Sequence, residues 1–147
     1  MNPPLEESFG YIIGHSYNAL RNRLHRNFAN ATINITHDQW IIMIKLWLRD
    51  GQNQMQLSQA TKKDKASIAR LINRLETRNL VVRIPDKSDK RNRLIYLTKK
   101  GRDLQEASLK EASKTIELAQ QGVSQKELKN CKDVLRKIYR NIEGQNI

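Results

Sequence analysis

The chain has 147 residues, 38% of them hydrophobic and 29% charged, which predicts one folded domain rather than a disordered chain. Twenty-seven Lys and Arg against fifteen Asp and Glu leave a formal net charge of +12, so a polyanion, nucleic acid above all, is the expected partner. No apolar run approaches the ~20 residues of a membrane span, MNPPLEESFG lacks the basic start and apolar core of a signal peptide, and the single cysteine excludes an intrachain disulfide framework; a cytoplasmic protein without a membrane partner is expected.

Residues 5–29 are predicted to form a long helix, with Pro3 and Pro4 just ahead of it where proline is tolerated. Phe9, Ile13, Tyr17, Leu20, Leu24 and Phe28 recur in steps of three and four, one apolar stripe of helical period. Thr36 and Gln39 carry a capping-box signature for a second helix, whose apolar face is read as Trp40, Met43, Ile44, Trp47 and Leu48 and which Asp50-Gly51 stops. A short helix over 54–61 follows, then the brief Lys62-Lys63 connection.

Asp64 caps the next helix, in which Ile68, Leu71, Ile72 and Leu75 face inward at i, i+3, i+4 and i+7. Its outer face carries Ala66, Arg70, Asn73 and Thr77, with Arg74 beside it, and Asn79 supplies a left-handed end. Residues 80–84 read as a strand, 86–93 as a polar tip and 94–97 as a returning strand. Two helices joined by a short turn, followed by a hairpin, make a winged helix-turn-helix. Thr98 caps a helix running to about residue 121. Ser124 and Glu127 form a second capping box, framed by the Val123–Leu128 staple. Leu128, Cys131, Leu135, Ile138 and Ile142 then make a seam of coiled-coil spacing.

The positive charge is concentrated. Residues 62–102 hold 14 Lys and Arg against 4 acidic residues. A major groove admits one helix, and the N-terminal residues of that helix reach base edges. Lys65, Ala66, Ser67, Ala69 and Arg70 occupy that end of the basic helix. Arg70 has the fork that matches guanine O6 and N7, and Ala66 and Ala69 are small enough to let the helix approach thymine methyls. Asn73 continues this face, and Arg74 and Arg78 lie further along, where phosphate contact is expected. At the hairpin tip Arg91 is placed to enter a narrow minor groove, flanked on phosphates by Lys87, Lys90 and Arg93, with Asp89 holding Arg91 by an ion pair.

Other chemistry is sparse. His15, His25 and His37 have no glutamate or cysteine companions at metal-ligand spacing, so no metal and no cofactor are expected. Cys131 reads as a small hydrophobe within the final seam. No GxSxG, Walker loop, GxGxxG, HExxH or CxxC occurs, so no enzyme is expected. Trp40 and Trp47 with Tyr11 and Tyr17 offer an aromatic pocket between the first two helices. Tyr11, His15, Trp40 and Ile44 are its expected ligand-facing residues.

LSQATKKDKASIARLINRLETRNLVVR (57–83), DKSDKRNRLIYLTKKG (86–101) and ITHDQW (35–40) together resemble the MarR (multiple antibiotic resistance regulator) family of winged-helix transcription regulators. Asp89, Arg91, Leu97, Thr98 and Gly101 match its wing signature. The resemblance spans nearly the whole chain as one domain: 5–30 and 104–147 as dimerisation helices, 36–102 as the DNA-binding part. It implies a mainly α fold with a small β-hairpin wing. It also implies a homodimer reading a pseudo-palindromic site in double-stranded DNA, with Arg70 in the major groove and Arg91 in the minor groove. A cleft for a small aromatic or phenolic effector between the two parts follows as well, and with it a repressor released by that ligand. The chain departs from the family at Thr61, Lys62 and Lys63, where an apolar residue, glycine and another apolar residue are common. The reactive N-terminal cysteine of the peroxide-sensing branch has no counterpart. The residues alone leave open a non-specific architectural nucleic-acid binder and a protein-interaction module with a basic face. They also ask for a dimer, because the terminal stripes must be buried.

Overall fold

Ser8 begins the first long helix. Its hydroxyl accepts from the Tyr11 amide at 3.2 Å, and α1 runs Phe9–Asn30. A separate 3-10 turn, Leu5–Glu7, precedes it where continuous helix is expected. The computed structural model describes residues 4–147, so Pro3, expected ahead of the helix, lies outside the described residues. At α2 (His37–Leu48) the predicted capping box forms in both directions: Gln39 N donates to Thr36 Oγ1 at 3.2 Å, and Thr36 N to Gln39 Oε1 at 3.0 Å. A second box, Asn53 with Gln56, opens α3 (Gln54–Thr61).

Asp64 caps α4 (Lys65–Thr77), and Asn79 takes the left-handed conformation at φ 58°. β2 (Val81–Pro85) and β3 (Arg93–Leu97) form the hairpin, in a register that sets Val81 against Leu97 and Ile84 against Leu94. Thr98 caps α5 (Lys99–Ala119), and the Ser124–Glu127 box opens α6 (Gln125–Glu143). The sheet has a third strand that the sequence does not announce. Gln52–Asn53, β1, pairs antiparallel with Ile95 and Leu94, giving the order β1-β3-β2. Two polar residues carry no alternation. What places them is the buried Gln52 side chain, whose Nε2 donates to the carbonyls of Lys45 and Arg49 at 2.9 and 2.6 Å at the end of α2.

One core lies beneath the winged helix. Phe28, Ile42, Met43, Leu46, Leu57, Ile68, Ile72, Leu75, Val81 and Ile95 are fully buried in it. The face that α2 buries is Gln39, Ile42, Met43 and Leu46. This corrects the expected face: Trp40, Ile44 and Trp47 are only half-buried and Leu48 is 78% exposed. α5 packs along α1, with Ser108, Glu111 and Thr115 buried and Asn27 Nδ2 donating to Thr115 Oγ1 at 2.9 Å.

The outer helices are a different matter. Of the α1 stripe only Leu24 and Phe28 are buried, and Phe9, Ile12, Ile13, Tyr17 and Leu20 stand exposed. α6 buries no residue, and Leu109, Ile116, Val134, Leu135 and Ile142 on α5 and α6 are likewise exposed. Cys131, expected as a buried small hydrophobe, is exposed in the protomer, on a helix that buries none of its residues.

Candidate nucleic-acid interface

The exposed face of α4 is built from its cap upward. Asp64 Oδ1 accepts from the Ser67 amide at 2.9 Å, and Oδ2 accepts from the Ser67 hydroxyl at 2.7 Å. Arg70 Nη2 in turn donates to Ser67 Oγ at 3.2 Å. The Ser67 hydroxyl, then its amide, hold the Asp64 carboxyl below its usual range, so it stays ionised and opposes the positive helix end. The chain Asp64–Ser67–Arg70 sets the guanidinium on the first turns of the helix, the part of a recognition helix that meets bases. Lys65, Ala66, Arg70, Asn73 and Arg74 are exposed here, and Ser67 and Ala69 are half-buried.

One turn beyond Arg70, the helix is tied to the wing. Arg83, on β2, donates from Nη1 to Glu76 Oε1 at 2.7 Å and from Nη2 to Asn73 Oδ1 at 2.7 Å. Its own amide donates to Glu76 Oε2 at 3.2 Å. Arg78 does not face outward as expected. It turns back, donating to the Asn34 carbonyl and to Gln39 Oε1, and anchors the end of α4 to the start of α2. Both bonds come from Nη1.

The wing tip is an ordered turn. Asp86 Oδ1 accepts from the Ser88 amide and hydroxyl at 3.0 and 2.9 Å, and the Asp86 amide donates to the Asn92 carbonyl at 2.8 Å. Asp89 holds Arg91 through the backbone, its Oδ1 accepting the Arg91 amide at 3.0 Å, rather than through the expected ion pair. The Arg91 guanidinium is left to project, and Lys87, Lys90, Arg91 and Arg93 are all exposed.

Asp38 lies 3.1 Å from Lys63 and 3.9 Å from Arg21, so an α2 carboxylate joins α1 to the turn before α4. Beside it, a cavity of about 180 Å³ is lined by α1 (Tyr17, Leu20, Arg21, Leu24), α2 (His37, Trp40) and α5 (Ala112, Thr115, Ile116). Trp40 Nε1 and His37 Nδ1 are buried without a hydrogen-bond partner. Of the expected ligand-facing residues Tyr11, His15, Trp40 and Ile44, Trp40 alone lines this cavity, joined by Tyr17 of the expected aromatic pocket. Tyr11 stacks on His15 at 3.8 Å toward the exposed start of α1, and Ile44 lies a turn further along α2. Trp47 is used structurally, donating to the Gly101 carbonyl at 3.0 Å. The sequence pattern missed Arg21 and His37. A cation beside a lone histidine carries no period, and only the packing of α1 on α2 brings them together.

A capped basic helix, a short turn before it and a charged antiparallel hairpin tied to its side define a winged helix-turn-helix protein of the nucleic-acid-binding class. Residues 35–92 match the MarR family. The transcriptional regulator HosA of Escherichia coli O157:H7 is 33% identical over 75 residues, 51% of this chain and 56% of HosA. Among solved structures, a probable transcriptional regulator from Pseudomonas aeruginosa superposes with a TM-score of 0.80 at 26% identity, covering 92% of this chain and 99% of that one. Bordetella bronchiseptica BpsR superposes with a TM-score of 0.85 at 22% identity, over 95% and 98% of the two chains, a likeness of fold. Over residues 35–92 the chain is similar to the MarR family, and its fold is that of the winged-helix transcription regulators on which it superposes.

Proposed function

We propose that this regulator is a homodimer that reads a pseudo-palindromic site in double-stranded DNA and represses transcription in the cytoplasm until a small aromatic or phenolic effector lowers its affinity. The observation that carries the reading is the exposed face of α4, where Arg70 is held by Ser67 and Asp64 while the wing projects four cations beside it. In this reading Lys65, Ala66, Ser67, Ala69, Arg70, Asn73 and Arg74 face the major groove, and Lys87, Lys90, Arg91 and Arg93 the minor groove and its phosphates. The bare apolar surfaces of α1, α5 and α6 support the dimer, because stripes of this extent are seldom left in water.

For the effector the support is the cavity at Trp40. Its aromatic and aliphatic lining and the neighbouring Arg21 suit a planar apolar ligand bearing a carboxylate. BpsR is a protein whose DNA binding is regulated by 6-hydroxynicotinic acid. The cavity touches His37, next to the Asp38 that holds Lys63, so occupancy there would bias the placement of α4.

Selection of bound sequences from a random DNA pool tests the reading. The expected product is a pseudo-palindrome whose half-sites lie about one helical turn, ~34 Å, apart. Binding without enrichment would make the protein a non-specific architectural binder, and no binding at physiological salt would make the basic face a protein-docking surface.

A further inference from the structure

Asn73 is the reading-face residue whose hydrogen-bonding capacity the fold has already divided. A free asparagine presents an acceptor and a donor side by side and reads adenine through N6 and N7. Here Arg83 Nη2 donates to Asn73 Oδ1 at 2.7 Å, and a guanidinium has no acceptor, so the carbonyl end of the amide is the one turned toward the wing. Arg83 is not free to leave. Its Nη1 is paired with Glu76 Oε1 at 2.7 Å, its amide is bound to the same carboxylate, and its side chain is only 13% exposed. Asn73 itself is exposed, one helical turn beyond Arg70 on the same face.

We propose that Arg83, locked by Glu76, is a positioning residue that makes Asn73 a donor-only reader, selecting a guanine at one base pair of each half-site and rejecting adenine there. The inference rests on the reading of α4 as the major-groove helix. The amide nitrogen, turned outward, donates to guanine O6 and N7. Cytosine would set its N4 amino donor against that nitrogen. Adenine offers N7 but brings its N6 amino group beside it. The second lone pair of Oδ1 does not rescue adenine, because an amino group approaching it meets the Arg83 cation. Guanine's two acceptors are attracted by the same charge.

Two substitutions separate this role from simple bracing. Asn73→Asp keeps and strengthens the contact with Arg83 but has no donor to offer. Arg83→Met keeps much of the aliphatic packing and frees Oδ1 to accept. Each variant is taken through selection from a random DNA pool beside the parent, after thermal melting shows that it folds. The parent is expected to enrich guanine at the position in question. Asn73→Asp is expected to lose that preference about tenfold at that base pair alone, and Arg83→Met to shift it toward adenine. Should Arg83→Met fail to fold, Asn73→Asp still decides. A preference unchanged in Asn73→Asp, or adenine already favoured there by the parent, would overturn the proposal while leaving sequence-specific binding intact. A parent that enriches no sequence would overturn the underlying reading of α4 and this inference together.

Discussion

Asp38, on the first turn of α2, lies 3.1 Å from the Lys63 ammonium across the turn that precedes α4. Burial on its own would raise the Asp38 pKa. The Lys63 hydrogen bond and charge, followed by Arg21, outweigh it and leave the pKa below 3.8. A carboxyl lowered in the folded state contributes stability that is present above its unfolded pKa and lost as pH falls through the folded one. Asp38→Asn is therefore expected to melt slightly below the parent at neutral pH, by less than about 1 kcal/mol for so exposed a pair. The two melting temperatures should converge as the pH is taken below 3.8. A gap that stays constant with pH would show that the pair is not the source.

His37, the next residue back, titrates in another window. Burial first and the Arg21 charge second hold its pKa below 6.5, with Asp38 pulling it partly back. The unfolded chain thus binds a proton that the folded chain resists, and stability should fall as pH drops below 6.5. His37→Gln is expected to flatten that part of the profile, read as melting temperature between pH 7.5 and 5.5. An equally steep decline in the variant would assign the dependence to another group.

Most of the fold was legible because it is written in local signals. The boxes at Thr36 and Ser124, the cap at Asp64 and the left-handed Asn79 each depend on residues within four positions, and each forms as read. The 3.6 period placed Ile68, Ile72 and Leu75 in the core of α4 and Leu71 at its edge. It failed in α2, where two tryptophans drew the apolar face toward them and away from Ile42 and Leu46. The hydrophobicity of that helix is nearly continuous, so its period could not choose a face. Arg78 and Asp89 were misread for a different reason. Charge in a sequence does not say which way a side chain turns, and both are used by nearby backbone. The cavity was least legible, since Tyr17, Arg21, His37 and Ile116 meet only through the packing of α1 and α5 over α2.

Lys62 occupies the left-handed C-cap of α3, φ 57° and ψ 27°, a conformation that glycine adopts at no steric cost. A Cβ there costs about 1–2 kcal/mol, while glycine loses more chain entropy on folding. Lys62→Gly is expected to stabilise the protein by about 0.5–1 kcal/mol in denaturant unfolding. No gain, or a loss, would mean that the Lys62 side chain makes up the strain through its own contacts.

Gly101 sits in the first turn of α5 against the Leu80 carbonyl, which also accepts the Thr98 amide at 3.1 Å. A Cβ at this position would fall well inside contact with that carbonyl oxygen, and a backbone atom cannot swing aside. Gly101→Ala must push α5 off the hairpin, at a cost of at least about 2–3 kcal/mol. The Trp47 bond to the Gly101 carbonyl gives a second readout, since indole fluorescence should change with the displacement. A variant with parental stability would place the start of α5 further from β2 than it stands here.

The reading helix and the wing should separate in their dependence on salt. Arg70 is held over the helix start by Ser67, so Arg70→Ala should cost roughly 1–3 kcal/mol on the selected site and relax its specificity. Its effect on random DNA should be smaller. Lys90 is exposed at the wing tip, a placement that suits phosphate rather than a base. Lys90→Ala should weaken all sequences alike and reduce the slope of log K against log salt by about one. Equal losses on selected and random DNA for Arg70→Ala would remove it from base reading. An unchanged slope for Lys90→Ala would take the wing tip off the phosphate backbone, leaving Arg91 and its neighbours without the role assigned to them.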